Sequence, residues 1–274
     1  MEKILIGYQL YSAREEMAND FRGTLEKVKA LGYDAVEFAG LFGRAPGEIR
    51  KMLDEVGLTA ISAHVPYDVI RADMDQAIRD YQQIGCRYIT VPFLGDQDRP
   101  GAPGFAKVIA LIRQFGEKCK KAGITLLYHN HDFEFVQVSG MYGLDFLYDA
   151  VPAEYLETEI DTCWVRYAGE DPAAYIRRYA SRCPIVHLKD YVGVKGGAQP
   201  YALINADGSD DGKNENVAFQ FMPVGYGCQD VAAIIRAGLE SGAHTFIVEQ
   251  DQWYDRHPLE AARMSLETVK RLLK

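Results

Sequence analysis

Three observations predict a (β/α)₈ barrel. Short runs rich in β-branched and aromatic residues alternate with longer amphipathic stretches, and eight such pairs fit in 274 residues. Gly32, Gly57, Gly85 and Gly123 each close an amphipathic stretch, where a left-handed residue ends a helix. The segment after the first strand, Gly7-Tyr8-Gln9-Leu10-Tyr11-Ser12, lacks the G-x-G-x-x-G spacing that an open, doubly wound nucleotide-binding sheet would place there.

In chain order, the first strand is predicted over Ile4 to Leu10 and the first helix over Phe21 to Leu31. Ala35 to Phe38 is the second strand. The helix after it, Pro46 to Val56, has Pro in its first turn and Gly57 beyond its end, the asymmetry helices favour. Strand Thr59 to His64, helix Asp73 to Ile84 and strand Arg87 to Phe93 follow. The second half repeats the rhythm. Helix Phe105 to Ala122 precedes strand Thr125 to His129, and helix Gly143 to Ala150 precedes strand Leu156 to Asp161. Asp171-Pro172 opens a helix to Tyr179 as N-cap and first-turn proline. Strand Ile185 to Leu188, helix Gln229 to Ser241, strand Thr245 to Glu249 and helix Pro258 to Leu273 complete the set. No linker divides the chain, so one domain over 1–274 is expected. The polar stretch 193–216, rich in Gly, Asp and Asn, reads as a long βα loop within it, a lid or a partner contact, or as a disordered insertion.

Composition narrows the class. A net charge of −9 argues against an electrostatic grip on nucleic acid. Five scattered cysteines with no Cys-x-x-Cys pair fit a reduced, cytoplasmic protein. The N-terminal residues turn polar too soon for a signal peptide. No apolar run approaches the ~20 residues of a membrane span.

The chemistry collects where strands end. Ile124-Thr125-Leu126-Leu127 runs into Tyr128-His129-Asn130-His131-Asp132, and three later strands end in Ile160-Asp161, Val186-His187 and Val248-Glu249. Glu37 and His64 close two earlier ones. Singly, each has a plain reading: a satisfied rim histidine, or an N-cap aspartate at Asp161 or Asp190. Together they place imidazoles and carboxylates at the C-terminal face, where barrels carry their active sites. Two imidazoles and two carboxylates suit one divalent ion, Mn²⁺ first, with Zn²⁺, Co²⁺ or Fe²⁺ as alternatives. Such an ion beside a carbonyl and a side-chain base supports proton removal from the adjacent carbon. That step is shared by isomerisation, epimerisation and β-elimination of a sugar or polyol.

The ordered segments Tyr128-His129-Asn130-His131, Asp161-Thr162-Cys163-Trp164, Tyr167-Ala168-Gly169-Glu170-Asp171-Pro172, His187-Leu188-Lys189-Asp190, Pro223-Val224-Gly225-Tyr226-Gly227 and Val248-Glu249-Gln250-Asp251 resemble the xylose-isomerase-like barrels. These are the sugar phosphate isomerases and epimerases, among them inosose dehydratases, ketose 3-epimerases, hydroxypyruvate isomerases and, more distantly, zinc-dependent apurinic endonucleases. The resemblance spans nearly the whole chain. It implies metal ligation by Asp161, His187 and Glu249, with His129 where ketose epimerases carry a fourth ligand, Glu. That departure tells against a two-glutamate epimerase mechanism. The Tyr-His-x-His form resembles the inosose dehydratases instead. It implies His129 as ligand or near-ligand and His131 as acid, base or hydroxyl contact, with the division between the two open, and Glu249 as a catalytic carboxylate. Many relatives carry His at Trp164, so a three-zinc site is not expected; Trp164 reads as an apolar wall for a sugar or as packing. Lys189 is expected on a substrate oxygen. Glu37 and His64 are expected on substrate hydroxyls or behind the ligands, and Glu159 in support of the metal cluster.

The expected activity is thus enolisation of a keto sugar or keto-inositol followed by isomerisation, epimerisation or β-elimination, with an inosose-dehydratase-like or 3-keto-glycoside lyase reaction as the alternative. A sugar-binding barrel without catalysis and an abasic-site endonuclease are the other readings. Trp253, Tyr254 and Asp255 either close over the site or meet a neighbouring subunit of a homo-oligomer. No membrane association is expected.

Overall fold

The structure is a computed structural model that describes residues 3–193 and 219–274. The stretch expected as a long loop, 193–216, lies outside the described residues except for Gly193.

In chain order the elements are β1 (Leu5–Gln9), α1 (Arg14–Asn19), α2 (Phe21–Leu31), β2 (Ala35–Ala39), α3 (Pro46–Val56), β3 (Thr59–His64), α4 (Tyr67–Ala72), α5 (Met74–Ile84), β4 (Tyr88–Val91), α6 (Phe105–Lys121) and β5 (Thr125–His129). Then come β6 (Gln137–Val138), β7 (Met141–Tyr142), α7 (Gly143–Ala150), β8 (Glu157–Asp161), α8 (Thr162–Ala168), α9 (Pro172–Arg178), β9 (Ile185–Leu188), β10 (Asp190–Gly193), β11 (Phe219–Met222), α10 (Val231–Glu240), β12 (Thr245–Val248) and α11 (Pro258–Leu272). Eight parallel strands close in the order β1-β12-β9-β8-β5-β4-β3-β2. Leu5–Tyr8 against Thr245–Val248 seals the ring. The expected barrel is the fold.

The helices form for local reasons. Asp20 caps α2 by accepting from Gly23 N, Gly32 ends it at φ 101°, and Phe21, Leu25 and Val28 face the sheet. Along α6, Phe105, Val108, Ile112, Phe115 and Cys119 make one buried stripe. Gly116 lets that helix meet the chain before β8: a Cβ there would lie 2.0 Å from Tyr155 O.

Alternation along the strands fills the barrel in layers. Ala35, Ile61, Tyr88, Leu127, Ile185 and Ile247 form an apolar floor. One step towards the C-terminal ends the interior turns polar: Glu37, Thr90, His129, Glu159, His187 and Glu249 are all buried. A register shift between β2 and β3 lets Ile61 stay in the floor while Ser62 and His64 join the polar layer.

Two features have no counterpart in the sequence-based expectation. After β9 the chain turns back as a hairpin, β10 antiparallel to β11, and a smaller hairpin, β6–β7, follows β5. The short helix α8 sets Trp164 under the first of these: Trp164, Tyr167, Tyr191, Phe219 and Phe221 form a separate aromatic cluster. Among the described residues no helix is long and apolar enough to cross a membrane.

Candidate active site

Four neighbouring strands, β5, β8, β9 and β12, each present a pair of inward residues two apart at the C-terminal end: His129 and His131, Glu159 and Asp161, His187 and Lys189, Glu249 and Asp251. All eight side chains are buried. His129, Asp161, His187 and Glu249 can each offer one ligand atom, and those atoms lie within 4.8 Å of one another. His129 Nε2 is 3.7 Å from Asp161 Oδ2, and His187 Nδ1 is 3.1 Å from Glu249 Oε2.

Asp161 serves two purposes. Its Oδ1 accepts from Trp164 N and caps α8. Its Oδ2, buried and pointing towards His129 and Lys189, makes no hydrogen bond. Burial pushes this carboxyl up to about 7, with Lys189 opposing. Asn130 fixes the backbone beneath: Asp161 N donates to Asn130 Oδ1 (3.0 Å) and Asn130 Nδ2 donates to Asp161 O (3.3 Å). A buried carboxylate oxygen without a hydrogen bond is costly, and a cation among these four groups would satisfy it more closely than the Lys189 ammonium 3.8 Å away. The donor set fits a divalent ion of the Mn²⁺, Zn²⁺, Co²⁺ or Fe²⁺ kind.

A second group, His64, His129, Glu159 and His187, also brings ligand atoms together, but it is already knitted by hydrogen bonds. Glu159 Oε1 lies 2.7 Å from His64 Nε2 and 3.3 Å from His129 Nδ1, and Glu159 Oε2 accepts from Thr90 at 2.8 Å. Glu37 Oε2 accepts from Gln9 (2.7 Å) and meets His187 Nε2 at 2.7 Å. This layer therefore braces the one above it: Glu37 and Glu159 fix the far nitrogens of His187 and His129, the usual support for a metal-binding imidazole. Burial opposes charge on His187, yet Glu37 and Glu159 outweigh it and hold the imidazole well above its ordinary value. His64 is raised by the same two carboxylates. His129 is pushed down to about 3 by burial and by His187 and His64.

His131 sits in an apolar sandwich. Its ring stacks on Phe133 at 5.4 Å, meets Phe93 edge-on at 5.1 Å and lies 5.2 Å from Trp164. Burial, with His129 and Lys189 nearby, holds it well below the ordinary histidine value. Glu134 sets its position: Glu134 Oε2 accepts from His131 N at 2.8 Å, and Glu134 Oε1 from Tyr128 Oη at 2.7 Å.

Part of this set faces a cavity of about 560 Å³. His64, His129, His131, Lys189, Glu249 and Asp251 line its inner end, and Tyr11, Tyr67 and Phe93 its walls. Lys189 Nζ lies 2.7 Å from Asp251, 3.2 Å from Glu249 and 3.8 Å from Asp161. Burial opposes its charge, but those three carboxylates hold it well above the ordinary lysine value.

The structure thus draws His129, His131, Asp161, His187, Lys189 and Glu249 around one point, with His64 beside them. Glu37 is wholly buried beneath His187 and away from the cavity wall. Trp164 is wholly buried as well, behind His131 and Lys189. Trp253 packs on the Arg14 guanidinium at 4.8 Å, and Tyr254 Oη accepts from Phe221 N. The sequence reading gave no role to Glu134, Tyr11 or Asp251. Asp251 had a usable signal, since it lies two residues past Glu249 and so shares its face. Glu134 had none, because its contacts depend on the single 3-10 turn, Phe133–Phe135, after β5.

Residues 25–272 match the model of the family described as xylose isomerase-like TIM barrel. The inosose dehydratase of Geobacillus kaustophilus is 24% identical over 283 residues, covering 91% of this chain and 86% of that one. Among solved structures, a sugar phosphate isomerase/epimerase from Parabacteroides distasonis superposes with TM-score 0.77 at 21% identity, covering 99% of this chain and 100% of the other. An L-ribulose 3-epimerase does so with TM-score 0.69 at 17% identity, covering 98% and 94%. The chain belongs to the xylose isomerase-like TIM barrel family.

Proposed function

We propose that this protein is a metal-dependent lyase that enolises a keto-inositol or keto sugar and expels a β-hydroxyl as water. The observation that carries the reading is Asp161 Oδ2, which makes no hydrogen bond and is buried beside His129, His187 and Glu249, of which His129 and Glu249 line the cavity. A divalent ion held by His129, Asp161, His187 and Glu249 would stabilise negative charge on a substrate oxygen next to the proton-bearing carbon. His131, neutral in its aromatic sandwich and facing the cavity, accepts that proton; the C–H electron pair passes into the enolate. The enolate then re-forms the carbonyl as the bond to the β-hydroxyl breaks. The imidazolium, disfavoured by its apolar surroundings, returns the proton to the leaving hydroxyl, so the net change is loss of one water. Lys189, which lines the cavity beside Glu249, is the group proposed to meet a substrate oxygen, and Glu249, held well below its ordinary value because Lys189 and His187 outweigh its burial, stays ionised.

Similarity to inosose dehydratases supports elimination. Histidine at 129, where ketose epimerases carry Glu, weighs against a two-glutamate epimerisation. A single domain over 1–274 acting in a reducing, cytoplasmic setting is part of the same proposal; the five cysteines are free. The test is metal content after dialysis against Mn²⁺, together with turnover of keto-inositols and 3-keto-glycosides followed by NMR. Wild-type protein should retain about one ion per chain, and Asp161→Asn and Glu249→Gln should lose it along with turnover. Unchanged metal in both variants rules out the assigned ligands.

A further inference from the structure

We infer that Lys189 is the built-in counter-cation of the metal site: its ammonium holds Asp161, Glu249 and Asp251 together before a metal arrives, and Asp251 keeps it from competing once the metal is bound. The inference rests on the metal reading above and concerns what sets the affinity of that site.

Its starting point is the position of the ammonium. Lys189 is 2% exposed, and Nζ touches two of the proposed ligands, Glu249 at 3.2 Å and Asp161 at 3.8 Å. Its shortest contact, at 2.7 Å, is to a carboxylate outside the ligand set, Asp251. Glu249 Oε2 is therefore shared between His187 Nδ1 and Lys189 Nζ. The rings of Trp164 and Phe221 lie 5.3 and 5.2 Å from the ammonium and keep it desolvated. A buried lysine is expensive to maintain and survives where carboxylates compensate it.

The backbone of Asp251 is held independently of Lys189. Arg14 donates to its backbone oxygen at 2.8 Å, and that guanidinium is itself seated over the rings of Tyr11 (4.5 Å) and Trp253 (4.8 Å). A carboxylate outside the ligand set, on a main chain held by other contacts, is therefore the nearest anion to the Lys189 ammonium. Positive charges a few ångströms apart repel, and burial leaves that repulsion poorly screened. Removing the ammonium should strengthen metal binding and weaken the metal-free protein. Removing the Asp251 charge should release the ammonium onto Glu249 and Asp161 and weaken metal binding.

The experiment is Mn²⁺ titration by calorimetry at pH 8 on chelator-stripped wild type, Lys189→Met and Asp251→Asn, with Asp161→Asn as the site control, alongside thermal melts in EDTA. Lys189→Met should bind Mn²⁺ at least tenfold tighter while melting lower than wild type in EDTA. Asp251→Asn should bind at least tenfold weaker. General damage to the site would weaken binding in both, so the opposite signs are diagnostic. Lys189→Gln, a milder neutral replacement, gives the same sign if the Met variant does not fold, and failure of either to bind tighter overturns the counter-cation role. Loss of metal in Asp161→Asn without tightening in the lysine variants leaves the metal reading standing and the inference overturned. Wild-type affinity in Asp161→Asn overturns both.

Discussion

A histidine packed among aromatic rings stays neutral, and that decides which half of a proton transfer it can start. His131 lines the cavity, and in the proposed reaction it begins as the acceptor. Replacing it with Gln keeps much of the volume and removes the base. His131→Gln should lower kcat by roughly 10² to 10⁴, the usual weight of a general base, with Mn²⁺ affinity within about threefold of wild type. Initial rates and a metal titration on the same sample separate the two quantities; a parallel loss of metal would make His131 a ligand. Asp161 gives the pH dependence. Its carboxyl is pushed up to about 7 by burial, and metal binds the ionised form. Metal affinity should therefore fall as pH drops through about 7, where the proton competes at Asp161, and the raised His187 imidazole adds a second competing proton, so affinity should still be climbing above pH 7. Calorimetry from pH 8 to 5.5 checks this, and a flat profile would mean Asp161 is ionised throughout.

Inward alternation at the ends of β5, β8, β9 and β12 places four pairs of chemical groups on one rim. That is why much of the site was legible: strand ends at His129, Asp161, His187 and Glu249 can be read from the runs before them, and a barrel brings strand ends together. The contacts that orient those groups were less legible. Glu134 reaches back to His131 from a single 3-10 turn, Phe133–Phe135, too short to leave a periodic signal in the sequence. Trp164 could be read as a wall or as packing, and only the hairpin β10–β11 shows what covers it. Asp190 looked like a helix N-cap, but it opens β10 and accepts from the backbone N–H groups of Tyr191, Gly225, Gly227 and Gln229. It thereby fixes the Gly225-Tyr226-Gly227 turn, where a Cβ at Gly227 would lie 2.2 Å from Asp190 Oδ1. Asp190→Ala leaves those donors without their acceptor and should cost about 1–3 kcal/mol or more in urea unfolding. An unchanged midpoint would mean the turn holds by itself. Several helix limits, such as Phe21–Leu31 and Pro46–Val56, agree with expectation because glycine and proline punctuate them.

The molecule as a whole is an acidic barrel with an apolar floor, a bracing layer of Glu37, His64 and Glu159, and a rim above it whose His129, Asp161, His187 and Glu249 could hold a metal ion. Binding at that rim should feed back on stability. An ion present at about 100 times its Kd adds about 2.7 kcal/mol, which for a chain of this size is a rise in Tm of roughly 5–10 °C. Melting curves in Mn²⁺ and in EDTA should differ by that amount, and the difference should vanish in Asp161→Asn. The most direct test of the central claim is hydrogen–deuterium exchange at the carbon next to the carbonyl, read by proton NMR in D₂O with Mn²⁺-loaded protein and a panel of keto-inositols, ketohexoses and 3-keto sugars. At least one of these should lose its α-proton signal with wild-type protein and keep it with His131→Gln. Retention of every α-proton by the fully metal-loaded wild type would contradict enolisation and leave a sugar-binding barrel in its place.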